Sequence, residues 1–164
     1  MVKKLLVFDM DGTIADLYGV ENWLSLLREE NTLPYEKAVP MYNMEEMRET
    51  LLKLKKCGYL IAITTWLSKE SSIEYKKAVT EVKRAWLESF GFPFDFFHAV
   101  QYGTCKRYPT SPRKQYKKGS FYPVEQILFD DSTEVRNDWQ KWHGTAIDAS
   151  KENILEILKK MIDK

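Results

Sequence analysis

A chain of 164 residues and 19.4 kDa can bury a sizeable core yet is too short for two ordinary domains, so one domain is expected over 1–164. A net charge of +1, with 30% charged and 44% hydrophobic residues, points to neither a nucleic-acid-coating protein nor an acidic tail. No stretch has the length of a membrane span, and Met1-Val2-Lys3-Lys4 leads directly into an apolar run without a signal-peptide region, so a cytoplasmic protein is expected.

Leu5-Leu6-Val7-Phe8 is apolar on both alternating faces, which predicts a central strand of a parallel sheet. Asp9-Met10-Asp11-Gly12-Thr13 follows at once, with Gly12 allowing a sharp turn. Val20, Trp23, Leu24 and Leu27, then Met44, Met47, Leu51 and Leu54, recur at helical spacing and predict two amphipathic helices separated by a loop with Pro34 and Pro40. Asn43 and Glu46 have capping-box spacing at the start of the second, and Gly58 provides its stop. Leu60 to Thr64 reads as a second strand. A long helix within 69–90 follows, with Ala78, Val82, Ala85 and Trp86 on its buried face and Gly91 behind it. Phe96 to Val100, Gln126 to Phe129 and the region of Thr145-Ala146-Ile147 supply three more strands, and Ile154, Leu158 and Met161 mark a closing helix.

Strands that alternate with helices call for a three-layer α/β domain, a Rossmann-like parallel sheet with helices on both faces. In such sheets ligands bind at the carboxyl ends of the strands. Asp9 and Asp11 fall there, and two carboxylates so close require a bound cation or a proton to offset their repulsion; an Asp-rich capping turn is the plain alternative. The later strands end in groups suited to an anion and its metal: Thr64-Thr65 with hydroxyls, Lys106 with a point charge, and Asp130-Asp131 as a second acidic pair. Lys114, Lys117 and Lys118 compete with Lys106 for that role. Cys57 and Cys105 lack metal-ligand spacing and read as ordinary thiols, and His98 and His143 read as structural.

Asp9-Met10-Asp11-Gly12-Thr13 after a strand, Thr64-Thr65, Lys106 and Asp130-Asp131, taken in order, resemble the four motifs of the haloacid dehalogenase-like phosphohydrolases. The resemblance spans Leu5 to Asp131 and implies a Mg²⁺-dependent phosphatase that works through an aspartyl-phosphate. It casts Asp9 as nucleophile and Asp11 as general acid and base. Mg²⁺ would be held by Asp9, the main-chain carbonyl of Asp11 and Asp131, with Asp130 supporting from behind. Thr65 or Thr64, Lys106 and Gly12 would hold the phosphate. Trp66 stands where small polar residues are common in that family. A second Asp in the first motif weighs against dehalogenation, whose leaving group needs no proton. A small helical cap insertion at about 17–57, or no cap, fits the length available.

The run Glu74 to Leu87 ahead of Gly91, and Phe129-Asp130-Asp131-Ser132-Thr133-Glu134-Val135 with Trp139, are loosely similar to 5'-deoxyribonucleotidases and to the phosphatase domain of phage polynucleotide kinases. They imply a small phosphorylated substrate, a nucleotide. Arg107, Arg113, Lys114, Lys117 and Lys118, interleaved with Tyr108, Tyr116 and Tyr122, offer either a nucleic-acid track for a polynucleotide 3'-phosphatase or a solvated loop. A non-catalytic module that binds Mg²⁺ or phosphate is the remaining alternative.

Overall fold

A computed structural model describes residues 4–110, 125–142 and 144–164. Five parallel strands form the central sheet: β1 (Lys4–Phe8), β4 (Tyr59–Trp66), β5 (Phe96–Val100), β6 (Glu125–Asp130) and β7 (Thr145–Asp148), in the order β5-β4-β1-β6-β7. The chain winds outward from β1 to β5, then returns to the other side of β1. The order therefore reverses between β1 and β6, the place where an open parallel sheet leaves a crevice at its carboxyl edge.

β1 is buried on both faces because each face carries its own helical layer. Leu6 and Phe8 join Ile61, Ile63, Ile127 and Phe129 against α3 (Met44–Lys56), α6 (Ile154–Ile162) and the end of α4 (Ile73–Ser89). Leu5 and Val7, with Ala62 and Leu128, face Val135 and Trp139 of α5 (Thr133–Gln140). The expected three-layer Rossmann-like sheet is thus present. No described helix is long and apolar enough to cross a membrane.

Between β1 and α3 the chain forms α1 (Trp23–Arg28) and α2 (Leu33–Lys37), framed by the antiparallel pair β2 (Ala15–Asp16) and β3 (Val39–Pro40). Pro34 was expected to interrupt structure; it instead opens α2, where a missing N–H costs nothing. Tyr35 and Leu17 pack from this insertion onto Leu67, Tyr75 and Val79, and Trp86 Nε1 donates to the Ala38 carbonyl at 2.9 Å. α3, by contrast, buries Met47, Leu51 and Leu54 in the main core.

Asn43 caps α3 as its spacing suggests, accepting from the amides of Glu45 and Glu46, while Glu46 turns its carboxylate to Lys159. α4 departs from expectation. Its buried line is Tyr75, Val79, Lys83, Trp86 and Leu87; Ala85 is exposed, and Ala78 and Val82 are only partly covered. A lysine occupies a core position, so the apolar count alone rotated the helix wrongly. α5 was not foreseen, because its few apolar residues, Val135 and Trp139, are too sparse to announce it. His98 lies half-buried on β5, whereas His143 is outside the described residues.

Candidate active site

Register places the polar groups in a row. Phe8 stands opposite Phe129 and Ile63, and the Asp9 amide donates to the Phe129 carbonyl at 3.0 Å, so Asp9 continues β1 beside Asp130 on one side and Thr64 on the other. Thr64 is in turn registered with His98, and Asp130 with Asp148. Parallel pairing turns registered side chains to the same face, so the row gathers at the carboxyl edge of the sheet.

Beyond Asp9 the backbone closes a tight turn in which the amides of Thr13, Ile14 and Ala15 all donate to the Met10 carbonyl. Gly12 sits at φ +77°, and a Cβ there would run into the Asp131 carboxylate and the Tyr18 ring. The Gly12 amide donates to the Ala15 carbonyl at 2.9 Å. Its N–H is thus engaged within the turn, and the missing Cβ leaves room for the Asp131 carboxylate.

Asp9, Asp130 and Asp131 each offer an oxygen within 4.8 Å of the others. Lys106 Nζ lies 2.7 Å from Asp9 Oδ1 and 2.7 Å from Asp130 Oδ2, nearly sealed from solvent. Asp130 Oδ1 accepts from the Ser132 amide at 2.9 Å, and Arg136 donates to the Asp130 carbonyl and to Asp148. Both oxygens of Asp130 are therefore engaged within the protein. Burial, with the charge of Asp9 next, pushes the Asp130 carboxyl up to about 6, and burial followed by Asp9 and Asp130 pushes Asp131 up to about 7. Three acids against one lysine leave net negative charge, which a hard divalent cation with oxygen ligands would neutralise. The donor set fits Mg²⁺, which Asp9 and Asp131 would hold.

Asp11 does not join this cluster. Its Oδ2 pairs with Lys83 Nζ at 2.8 Å, and Lys83 also donates to Thr65 Oγ1 at 2.8 Å and to the Trp66 carbonyl at 3.0 Å. Burial raises the Asp11 carboxyl against the opposing pull of Lys83, although part of its side chain still faces the cleft. Lys83 carries little local signal, since it sits mid-helix in a crossover; the usable one is its place four residues after Val79, on the apolar stripe. Thr64 Oγ1 is buried and has no hydrogen-bond partner among the described residues.

A cleft of about 470 Å³ is lined by Asp9, Asp11, Lys106, Asp130 and Asp131, while Thr64, Thr65 and Lys83 lie behind its lining. Its lining includes two aromatic pairs, Tyr18 with Trp23 in edge contact at 5.0 Å and Trp66 with Tyr102 at 4.8 Å, together with Tyr35 and Leu67. Trp66 is fixed by its Nε1 bond to the Thr104 carbonyl and lies 5.5 Å from Lys106 Nζ. Arg107 lies over the Trp139 ring, its guanidinium carbon 5.2 Å from the centroid. Arg113, Lys114, Lys117, Lys118, Tyr116 and Tyr122 are outside the described residues. Burial and a contact with Asp138 raise the Cys105 thiol, which favours an inert role.

No family model and no curated protein matches the chain. Among solved structures it is similar to the D,D-heptose 1,7-bisphosphate phosphatase of Burkholderia thailandensis, at 17% identity over 82% of this chain and 70% of that one, with a TM-score of 0.46. It is also similar to the HAD domain of the effector protein Lem4 of Legionella pneumophila, at 14% identity over 98% of this chain and 94% of that one, with a TM-score of 0.47. These are likenesses of fold alone.

Proposed function

We propose that the chain is a haloacid dehalogenase-like phosphatase, a Mg²⁺-dependent phosphomonoester hydrolase acting through a phosphorylated Asp9. The observation that carries the reading is the meeting of Asp9, Asp130 and Asp131 within 4.8 Å, with Lys106 bonded to the first two and Asp11 at hand in the same cleft. Pure binding of an ion would need no fourth carboxylate held apart from it.

In the proposed cycle an Asp9 oxygen attacks phosphorus, the phosphorus–ester oxygen bond breaks, and Asp11 passes its proton to the departing oxygen. Asp11 then removes a proton from water, whose oxygen attacks phosphorus; phosphate leaves and the Asp9 carboxylate is restored. Lys106 balances charge on Asp9 and on the phosphoryl oxygens, and Thr65 and Thr64 supply hydroxyl donors. Mg²⁺, held by Asp9, Asp131 and the main-chain carbonyl of Asp11 with Asp130 behind them, would add positive charge where the transferring group is most negative.

The aromatic walls formed by Tyr18, Trp23, Trp66 and Tyr102 favour a planar, stackable substituent on the phosphate, and a nucleoside monophosphate meets that need. Arg107, held against Trp139, removes one cation from the polynucleotide alternative. Asp9→Asn tests the reading: hydrolysis of p-nitrophenyl phosphate with Mg²⁺ is expected to vanish while the circular dichroism spectrum stays that of the wild type. Retained hydrolysis by that variant would refute it.

A further inference from the structure

Lys83 is 1% exposed on its side chain, yet it lies on the helix that crosses from β4 to β5 and not in any acidic strand end. A buried ammonium must find three acceptors, and Lys83 finds them in Asp11 Oδ2, Thr65 Oγ1 and the Trp66 carbonyl. The Tyr35 ring, from the insertion beside the cleft, covers Nζ at 4.9 Å from its centroid. We infer that Lys83 is a positioning residue that sets both Asp11 and Thr65 for phosphoryl transfer, an inference that rests on the phosphatase reading above.

Two consequences follow from which atoms are engaged. Because Lys83 holds Asp11 Oδ2, the other oxygen, Oδ1, is left to carry the proton to the leaving oxygen. Because Thr65 Oγ1 accepts from an ammonium, which has no lone pair to offer in return, the Thr65 hydroxyl hydrogen must donate elsewhere, and a phosphoryl oxygen is an acceptor of the right kind. One ammonium thereby orients a proton carrier on the β1 turn and a donor on β4. Tyr35 extends the same contact to the insertion, so packing there is coupled to the orientation of Asp11.

A merely structural Lys83 would stitch α4 to β4 and affect all substrates alike. Proton donation matters only where the leaving oxygen departs poorly as an anion, so leaving-group dependence separates the two roles. The experiment compares kcat/KM of wild type, Asp11→Asn and Lys83→Met, each with Mg²⁺, on p-nitrophenyl phosphate and on glycerol phosphate. In Lys83→Met, turnover of glycerol phosphate is expected to fall about a hundredfold or more, and to fall at least tenfold further than that of p-nitrophenyl phosphate, in the pattern of Asp11→Asn. An equal loss on both substrates would overturn the inference while leaving the phosphatase reading intact. If wild type hydrolysed neither substrate, both readings would fall together. Should Lys83→Met fail to fold, Lys83→Arg keeps the buried charge but moves the donors, and the same substrate ratio decides.

Discussion

Asp9 and Lys106, separated by 97 positions in the chain, form a 2.7 Å ion pair whose ammonium is almost wholly shielded from solvent and also bridges to Asp130. The pair ties the carboxyl end of β1 to the segment after β5 and places a cation at the reversal point of the sheet.

Removal of that cation leaves Asp9, Asp130 and Asp131 facing one another without a counter-charge. Lys106→Met is therefore expected to lose about 3 kcal/mol of unfolding free energy, the scale on which one partner of a buried pair is missed. Added Mg²⁺ should recover part of the loss, since it supplies the missing positive charge. Urea unfolding with and without Mg²⁺ checks both statements.

Gly12 combines a left-handed backbone with contact on the Asp131 carboxylate. Gly12→Ala should cost about 1–3 kcal/mol in backbone strain and, by displacing Asp131, should weaken the rise in Tm that Mg²⁺ produces. Gly103, which also has positive φ but open space around it, is the control: Gly103→Ala should show strain without loss of the Mg²⁺ response.

His98 is held below its ordinary value by burial, and no partner for its Nε2 is present among the described residues. A depressed folded-state value means that the unfolded chain takes up the proton first as pH falls. The stability His98 contributes is accordingly complete above about 6.5 and declines on further acidification. His98→Gln should show a smaller fall in urea midpoint between pH 7.5 and 5.5 than wild type, the carboxylates being common to both. An unchanged difference would contradict the assignment.

α3 offers a control remote from the chemistry. Asn43→Ala removes the acceptor for the Glu45 and Glu46 amides and should cost about 1 kcal/mol while leaving any phosphatase activity within twofold of wild type. Parallel urea and turnover measurements on the two proteins give the comparison.

Strand β5, the α3 cap and the acidic strand ends were legible in the sequence because each depends on local signals: an apolar run, an Asn before a helix, charges after a strand. What was not legible depends on register and on long-range packing. The strand pattern brings Thr64 and Asp130 to the same edge of the sheet as Asp9, but that they are its immediate neighbours on either side depends on the offset between parallel strands, which the sheet sets as a whole. Lys83 shows the same difficulty at the site itself. A lysine on a helix reads as solvated until the tertiary fold encloses it, and its partner Asp11 lies 72 positions earlier. The place of Arg107 is hidden for a similar reason, because a basic cluster in sequence does not reveal which member folds back over Trp139. Pro34 turns on a more local point: the first turn of a helix welcomes the residue that later turns exclude, so a proline in a loop-like stretch also suits a helix start.

The covalent step is the most direct point at which to test the account. Substrate mixed with enzyme and Mg²⁺, quenched in acid within a single turnover and analysed by peptide mass spectrometry, should reveal one phosphoryl group on the peptide that contains Asp9, located on that residue, and none in Asp9→Asn. Release of phosphate at full rate with no phosphorylated aspartate trapped, or a label on any other residue, would contradict it.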